Sequence, residues 1–401
     1  MPNIDYLCSM QTAIIGGGAA GFFLAVNLKE MRPEMGVTVF ERSHKVLAKV
    51  KVSGGGRCNC TNTFGDVRDL SAVYPRGHRL MKRLFNVFDY GDAYRWFESH
   101  GVKLTVQDDG CVFPAAQDSQ VVVDCLTQTA RRLGVSVVTG RKVEGLDALR
   151  NYDFVAVTTG GSPTGQGLRW LQALGHEVER PVPSLFSLAV SDSRLHHLMG
   201  LVTDASVGIA GTKVRGEGPL LITHWGLSGP AVLKLSSHGA RLLADRDYRV
   251  PLTVSWLRMR EDDVLAALHA MAARHAQKLL PTANPFGLPQ RLWSYLLDRA
   301  LGERAQLRWG ETGKKDTNRM VNVLCSDSYE TAGRAPFKDE FVTCGGVSLK
   351  AVSSQTLESR HVPRLYFAGE VLDVDGITGG FNFQTAWTTA YVVACSIAAA
   401  Q

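Results

Sequence analysis

Three side chains in this 401-residue sequence have the chemistry of a catalytic or substrate-binding group. His224 lies in the run Thr-His-Trp-Gly-Leu-Ser-Gly-Pro, where an imidazole would serve as an acid or a base; the alternative is a hydrogen-bonded structural histidine. Arg57 directly follows three glycines and would bind a cofactor phosphate or an anionic substrate. Cys58 would act as a redox thiol, against the alternative of a buried packing cysteine. These three residues are our candidate catalytic residues.

The same sequence has no Ser-His-Asp ordering, no metal-ligand cluster and no Walker loop. We therefore predict no metal site, and we expect a bound organic cofactor to carry the reaction.

A glycine motif near the N-terminus predicts a dinucleotide site. Apolar residues run into Gly16, Gly18 and Gly21, a helical stretch follows, and the next apolar run ends at Glu41. In such a unit the glycines allow a tight turn, a close pyrophosphate and close helix packing, and the acid binds ribose hydroxyls. The helix N-terminus attracts the phosphates. The alternative, an ordinary glycine-rich turn, does not explain the acid.

The C-terminal segment indicates which dinucleotide binds. A short apolar strand ends at Gly369 and Glu370, Asp373 follows, and the pair Gly379 and Gly380 opens the last helix. This order would place a carboxylate near a polyol and a helix dipole near a ring carbonyl. A flavin has both groups, in its ribityl chain and its C2=O, whereas NAD has neither. We therefore predict FAD. A nucleotide fold completed by a C-terminal strand and helix is similar to the layout of glutathione-reductase-like FAD proteins.

Two further segments would cover the middle of the cofactor. The run Ser-Gly-Gly-Gly-Arg-Cys-Asn at residues 53–59 leaves the backbone unshielded, although a flexible surface loop is the alternative. The strand at residues 154–157 runs into Thr-Thr-Gly-Gly, where FAD folds often return to the cofactor. The predicted cofactor-binding residues are Gly16, Gly18, Ala19, Ala20, Gly21, Glu41, Arg42, Lys49, Gly54, Gly55, Gly56, Arg57, Cys58, Asn59, Thr159, Gly160, Gly161, Gly369, Glu370, Asp373, Gly379, Gly380, Phe381 and Asn382.

The distribution of strand and helix patterns predicts an α/β protein with an interrupted FAD domain. Its N-terminal part covers residues 1–183 and its C-terminal part covers residues 341–401. Residues 184–340 form an insert for the substrate, rich in strands over 184–256 and helical over 260–302.

Charge, hydropathy and cysteine content indicate which kinds of partner and which cellular compartment to expect. The net charge is +6 and no dense run of lysine and arginine occurs, so we expect a small-molecule substrate and no nucleic-acid partner. No apolar run reaches the ~18–20 residues of a membrane span and no secretory signal is visible, so we expect a cytoplasmic protein. Cys58 and Cys60, on one strand, are expected to stay reduced. The sequence does not set an oligomeric state.

Motifs over nearly the whole chain form a larger pattern. They lie at residues 14–21, 52–62, 158–161, 174–176, 183–185, 221–230, 343–347, 367–376 and 379–384. Together they resemble the BaiN-like NAD(P)/FAD-dependent oxidoreductases, a group that includes aminoacetone-oxidase-like enzymes. The resemblance implies a split Rossmann-type FAD domain with an inserted β-barrel-like and helical domain. Activities in this family include oxidation of a small aminoketone and reduction of a steroid enone. The resemblance therefore does not identify the reaction that this protein catalyses.

The combined patterns predict an FAD-dependent oxidoreductase that transfers hydride between the flavin and a small organic substrate. No second Gly-x-Gly-x-x-Gly with a trailing acid occurs, so NADH or NADPH would bind only transiently as a donor. Oxygen or another acceptor would otherwise exchange electrons with the flavin, which leaves both reductase and oxidase open. Two alternatives are a flavin-dependent RNA-modifying enzyme and a non-catalytic flavin-binding redox sensor.

Overall fold

A computed structural model describes residues 10–335 and 342–400. These residues form two compact units: a first unit of residues 10–182 and 342–400, and a second unit of residues 183–335. Within them, no helix combines the length and the apolar character that a membrane crossing requires.

The strands follow one another along the chain as β1 (Gln11–Ile15), β2 (Gly36–Phe40), β3 (Thr61–Asn62), β4 (Leu104–Val106), β5 (Cys111–Pro114), β6 (Ser136–Val138), β7 (Phe154–Val157), β8 (Val178–Ser184), β9 (Leu188–Val190), β10 (Val202–Ile209), β11 (Arg215–Ile222), β12 (Gly226–Ser228), β13 (Pro251–Ser255), β14 (Asp327–Arg334), β15 (Val342–Val347) and β16 (Leu365–Phe367).

The α-helices are α1 (Ala19–Met31), α2 (Ala48–Gly56), α3 (His78–Leu84), α4 (Tyr90–Ser99), α5 (Gln120–Arg132), α6 (Arg169–Ala173), α7 (Ser193–His196), α8 (Pro230–His238), α9 (Ala240–Asp245), α10 (Glu261–Arg274), α11 (Gln290–Leu301), α12 (Lys314–Ser326) and α13 (Phe381–Ala399).

A parallel sheet organises the first unit. Its strand order is β16-β7-β1-β2-β6, and every neighbouring pair is parallel. Residues 12–15 of the central strand β1 are all buried, as expected for a parallel sheet whose two faces are covered by helices. The predicted Rossmann-type fold is therefore confirmed. The turn after β1 lies at the carboxyl edge of this sheet, where ligands of open α/β folds bind.

The first and last helices of the first unit pack on each other. Both α1 and α13 are apolar nearly all round, as expected for helices buried between other elements. The rings of Phe23 and Trp387 lie 5.1 Å apart at their contact. Segments from opposite ends of the sequence therefore share one core, which brings the glycine motif and the C-terminal motif into the same unit.

The second unit contains a closed barrel with strand order β10-β11-β12-β9-β14-β13. This confirms the barrel-like insert that the family resemblance implied. Helices α10, α11 and α12 belong to the same core, which includes the fully buried rings of Trp256, Trp293 and Trp309.

The structure adds local detail that the sequence predictions did not give. The glycine run at residues 54–56, expected in a loop, closes α2 after a kink in which Ser53, Gly54 and Gly55 leave helical geometry. Two separate helices, α3 and α4, lie between β3 and β4. The polar segment 303–335, which no pattern assigned, contains α12 and β14.

Candidate functional site

The turn after β1 requires glycine at two positions. Gly16 adopts a φ of +117°, and a Cβ there would press on the Thr158 carbonyl group. A Cβ at Gly21 would overlap the carbonyl oxygen of Gly16, because α1 packs directly on the end of β1. These are the tight turn and the close helix packing of a dinucleotide-binding loop.

Gly18 has a different environment from the other two glycines. Among the described residues, no atom lies within 4 Å of the point that a Gly18 Cβ would occupy. Gly18 is also the N-cap of α1, whose first residues, Ala19 and Ala20, have short side chains. Because the first N–H groups of a helix lack intrahelical acceptors and carry partial positive charge, this open turn suits a pyrophosphate.

The Glu41 carboxylate is held beside this turn by two backbone donors. Its Oε2 accepts from the Gly17 N–H at 2.9 Å, and its Oε1 accepts from the Ser43 N–H at 2.8 Å. Each oxygen keeps a further lone pair, so the carboxylate can accept bonds from ribose hydroxyls without moving. The Arg42 side chain, next in sequence, is exposed.

The glycines that end α2 leave room for a ligand close to the backbone. Gly54, Gly55 and Gly56 have φ values of +56°, +68° and +84°. In the described part of the chain, nothing lies within 4 Å of a Cβ built at Gly55 or Gly56. The N–H of Ser119 donates to the Gly56 carbonyl at 2.8 Å and anchors the segment from behind.

Arg57 is oriented by three contacts. Its Nε donates to the Gly54 carbonyl at 3.2 Å, its Nη1 donates to Gln117 Oε1 at 3.3 Å, and its guanidinium lies 4.4 Å from the centre of the Phe113 ring. A guanidinium has five N–H donors, so several remain for an anion. The arginine is therefore pre-oriented for a phosphate or a carboxylate.

The Glu370 carboxylate joins segments from three parts of the sequence. Its Oε2 accepts from Lys49 Nζ at 3.0 Å, and its Oε1 accepts from the Thr343 N–H at 2.9 Å. A Cβ at Gly161 would lie 2.8 Å from Oε1, and one at Gly160 would lie 3.6 Å from Oε2. The structure thus brings together four predicted residues from three distant parts of the sequence.

Gly369 lies between the first and the last helix. A Cβ at Gly369 would lie 3.0 Å from the Cβ of Ala20, and its N–H donates to Thr389 Oγ1 at 2.8 Å. This contact places the Glu370 segment against the first turn of α1. Thr159, at the end of the neighbouring strand β7, has an exposed side chain.

The first turn of α13 is anchored by its own residues. Gly380 is the N-cap with a φ of +91°. The carbonyl of Phe381 accepts from the Tyr74 hydroxyl at 2.9 Å, and the Asn382 amide exchanges two hydrogen bonds of 2.8 Å with the Gly376 backbone. The Asn382 side chain therefore holds the turn, and only the backbone N–H groups of this turn are placed for a ring carbonyl.

The segment before β3 reaches the same turn. With the Asn59 amide oriented to satisfy its neighbours, its Oδ1 accepts from the Gly380 N–H at 3.1 Å. Asn62 Nδ2 donates to the Gly379 carbonyl at 3.1 Å. Asn59 therefore occupies the Gly380 N–H, and contact of the following N–H groups with a flavin carbonyl stays a prediction.

The two acids of the C-terminal motif have different environments. Asp375 is completely buried and forms an ion pair with Arg76. Its oxygens are occupied by the guanidinium, so Asp375 is not placed to bind a ribose or ribityl hydroxyl. Asp373 is 9% exposed and its N–H donates to the Val347 carbonyl at 3.0 Å. A contact from Asp373 to the cofactor stays a prediction.

Cys58 and Cys60 do not lie on one strand. Cys58 has a φ of +60° and precedes β3, and this bend brings the two Sγ atoms to 3.8 Å. Both thiols are free and completely buried. The hydrogen bond to Cys58, together with burial, raises the pKa of the Cys60 thiol. This setting favours the packing interpretation of Cys58 over the redox one.

His224 belongs to the second unit, at the tip of the tight turn between β11 and β12. The Thr223 N–H donates to the Gly226 carbonyl at 2.8 Å, and Thr223 Oγ1 accepts from the Gly226 N–H at 3.1 Å. The exposed His224 ring stands edge-on to Trp225, with centroids 4.3 Å apart. The other predicted site residues lie in the first unit.

Sequence reasoning missed several residues that shape this site. Thr343 donates to Glu370, and Thr61, Asn62 and Gln384 bind one another or the last helix. No sequence signal singled out Gln384, because α13 also contains Asn382 and several threonines, and only the structure shows that Gln384 is completely buried.

The described residues fit FAD. Open space at Gly18 faces a helix N-terminus, and Glu41 and Glu370 supply two carboxylates for hydroxyl groups. The first turn of α13 adds a second helix N-terminus for a ring carbonyl.

Comparison with known families agrees with this geometry. Residues 10–396 match the model described as HI0933-like protein Rossmann domain. The chain belongs to this family. It is an FAD-dependent oxidoreductase with a Rossmann-type FAD-binding domain, and the resemblance to BaiN-like oxidoreductases is confirmed.

Individual relatives cover almost the whole chain. The 3-dehydro-bile acid delta(4,6)-reductase of Clostridium scindens is 27% identical over 95% of this chain and 97% of its own length. The ribosomal RNA dihydrouridine synthase of Haemophilus influenzae is also 27% identical, over 96% of this chain and 98% of its own. A solved structure of 3-ketosteroid delta1-dehydrogenase from Sterolibacterium denitrificans shares the fold, with a TM-score of 0.50, 11% identity, and coverage of 98% of this chain and 100% of that one.

Proposed function

We propose that this HI0933-like protein reduces a carbon–carbon double bond conjugated to a carbonyl group in a small organic molecule. The observation that supports the reductive direction is its end-to-end similarity to a relative named as a delta(4,6)-reductase of a 3-dehydro-bile acid. In such a reduction a hydride adds to the carbon β to the carbonyl and a proton adds to the α carbon. We propose NADH or NADPH as the source of the two electrons.

Bound FAD supplies the hydride chemistry, and the protein binds and tunes it. The turn at Gly18 would hold the pyrophosphate, Glu41 the ribose, and Glu370 with Lys49 the ribityl region. The first-turn N–H groups of α13 would stabilise the negative charge that a flavin gains on reduction. These assignments rest on the open space, the anchored carboxylates and the helix ends described above.

Two side chains are our candidates for the substrate. We propose Arg57 for an anionic group of the substrate or for a cofactor phosphate, because it is pre-oriented and keeps free donors. We propose His224 as the proton donor, because its exposed imidazole is presented on a rigid turn. The test for His224 is the rate at which the reduced flavin transfers hydride to the enone, the oxidative half-reaction, which His224→Asn should slow.

An RNA-modifying enzyme is the second candidate. It is supported by the relative named ribosomal RNA dihydrouridine synthase. Formation of dihydrouridine also reduces a double bond conjugated to a carbonyl, so the two candidates share their chemistry and differ in the size and charge of the substrate.

The test is anaerobic reduction of the purified, FAD-loaded protein with NADH and with NADPH, followed by separate additions of cyclohexenone, a steroid enone, a uridine-containing RNA, and air. Rapid bleaching by a nicotinamide and rapid recolouring by an enone would support the proposal. Recolouring by RNA alone, with loss of rate at higher salt, would favour the second candidate. Recolouring by air alone would contradict both and indicate an oxidase.

A further inference from the structure

Four consecutive residues, 59–62, each bind the segment that contains the last helix. Asn59 Oδ1 accepts from the Gly380 N–H, and the Cys60 carbonyl accepts from Trp387 Nε1 at 2.8 Å. Thr61 Oγ1 donates to Gln384 Oε1 at 2.6 Å, and Asn62 Nδ2 donates to the Gly379 carbonyl. We call residues 59–62 the clamp.

A buried chain of hydrogen bonds extends the clamp into the core. Thr61 donates to Gln384, Gln384 Nε2 donates to Thr388 Oγ1 at 3.0 Å, and Thr388 Oγ1 donates to the Phe88 carbonyl at 3.0 Å. Gln384, Thr388 and Thr61 are all at most 1% exposed. Buried polar networks whose members are all satisfied hold one arrangement rigidly, because any other arrangement leaves a buried polar atom unpaired.

The backbone of the clamp also packs directly against the first turn of α13 and blocks its movement toward β3. A Cβ at Gly380 would overlap the carbonyl oxygen of Thr61, so the backbones of these two segments are in direct contact. The side chain of Asn59 completes the contact from the other side, where its Nδ2 donates to the Thr61 carbonyl at 2.8 Å. The position of the first turn of α13 is therefore set by the clamp as well as by the helix itself.

We propose that the clamp is a positioning element that sets the reduction potential of the bound flavin, with Asn59 as its principal residue. This inference rests on the proposed placement of the flavin ring at the first turn of α13. A fixed helix N-terminus stabilises developing negative charge without reorganisation, whereas a turn that moves stabilises it less. Asn59 acts through the turn and does not itself react.

The test measures the midpoint potential of the FAD-loaded protein by dye equilibration, together with the dissociation constant of oxidised FAD. Asn59→Ala should weaken the binding of reduced relative to oxidised flavin about tenfold, a fall of ~30 mV for a two-electron couple. Thr61→Val keeps the shape of the side chain and removes one bond, so it should lower the potential by less. Asn27→Ala is the control, because Asn27 is a buried amide of α1 in the same unit that accepts from Trp96 Nε1 and donates to the Phe23 carbonyl.

The outcomes separate this inference from the proposed function. If Asn59→Ala and Thr61→Val bind FAD with the wild-type potential, or a higher one, the clamp does not tune the flavin and the inference fails while the function stands. If Asn27→Ala lowers the potential as much as Asn59→Ala does, the effect is general loosening and the inference also fails. If the wild-type protein is not reduced by either nicotinamide but the clamp variants still lower its potential, the inference stands and the proposed function fails.

Discussion

The Glu41 carboxylate accepts a hydrogen bond from the backbone N–H of Gly17 at 2.9 Å. This contact connects the acid that follows β2 to the turn that follows β1. The residue predicted to bind the ribose and the turn predicted to bind the pyrophosphate therefore hold a fixed position relative to each other. A carboxylate held in this way loses little entropy when it binds a hydroxyl pair.

Glu41→Ala should weaken FAD binding at least about tenfold, because a hydrogen bond to a charged group contributes about 1.5–3 kcal/mol. Fluorescence titration of the apoprotein with FAD measures the change. Glu144→Ala is the control, since Glu144 is an exposed acid of the same unit that pairs only with Lys142 in the described residues. Equal FAD affinity for the two variants would show that Glu41 does not bind the nucleotide.

Substitution by alanine should have different effects at Gly18 and at Gly21, on FAD binding in the first case and on stability in the second. A Cβ at Gly21 would overlap the Gly16 carbonyl, so Gly21→Ala should destabilise the apoprotein by about 2 kcal/mol or more, like other overpacked sites. A Cβ at Gly18 meets no described atom within 4 Å, so Gly18→Ala should leave the unfolding midpoint of the apoprotein unchanged and weaken FAD binding. Thermal unfolding with and without FAD separates the two effects. A destabilised apoprotein with normal FAD affinity in Gly18→Ala would contradict this assignment.

His100 should make the first unit more stable in mild acid. Its Nε2 faces Glu30 Oε1 at 3.0 Å and its Nδ1 faces the Trp96 carbonyl at 2.7 Å, so both ring nitrogens act as donors in the protonated form. The hydrogen bond to Glu30 is the main cause that raises the pKa of His100, while burial of the ring and, to a smaller extent, the nearby Arg132 oppose it. The stabilisation is fully present below the unfolded pKa and is lost as the pH rises through the raised folded pKa.

Urea unfolding at about pH 5.5 and about pH 8.5 measures this effect, on either side of the ordinary histidine pKa. Because the pair is only half-buried, we expect wild-type protein to lose at most about 1 kcal/mol more than His100→Gln over this range. The exposed His44 of the same unit provides the control variant, His44→Gln. An identical pH dependence in wild type and His100→Gln would rule out the charged pair.

Arg299 should contribute strongly to the stability of the second unit. It pairs with the 3%-exposed carboxylate of Asp327 at 2.8 Å and with Asp192 at 3.1 Å, and it lies 4.5 Å from the centre of the Tyr329 ring. Arg299→Met should destabilise the protein by about 3 kcal/mol, because it leaves a buried charge unpaired. Thermal unfolding should show a large loss for this variant.

The exposed pair of Arg258 provides the comparison. Arg258 contacts Asp204 at 2.7 Å and Glu217 at 2.9 Å on the surface of the barrel. Arg258→Met should cost less than about 1 kcal/mol, since solvent screens exposed ion pairs. Similar losses for Arg258→Met and Arg299→Met would mean that burial does not decide the strength of these pairs.

The amino-acid sequence by itself determined the features that depend on local geometry. The spacing of Gly16, Gly18 and Gly21 and the acid at Glu41 specify a strand, a turn, a helix and a second strand, and each step is short-range. The close helix contact at Gly21 is made with the carbonyl oxygen of Gly16, which lies in the same short turn. For the same reason, the fold class and the cofactor could be predicted without coordinates.

Only the tertiary structure decided which polar groups meet. Thr61 and Gln384 are 323 residues apart in sequence, yet they share a 2.6 Å hydrogen bond. Asp373 and Asp375 cannot be distinguished in the sequence, but in the structure Asp375 is buried and forms an ion pair with Arg76. No local pattern specifies such partners, because their pairing depends on how distant helices and strands pack. Burial then decides whether a polar side chain binds a ligand or holds the protein together.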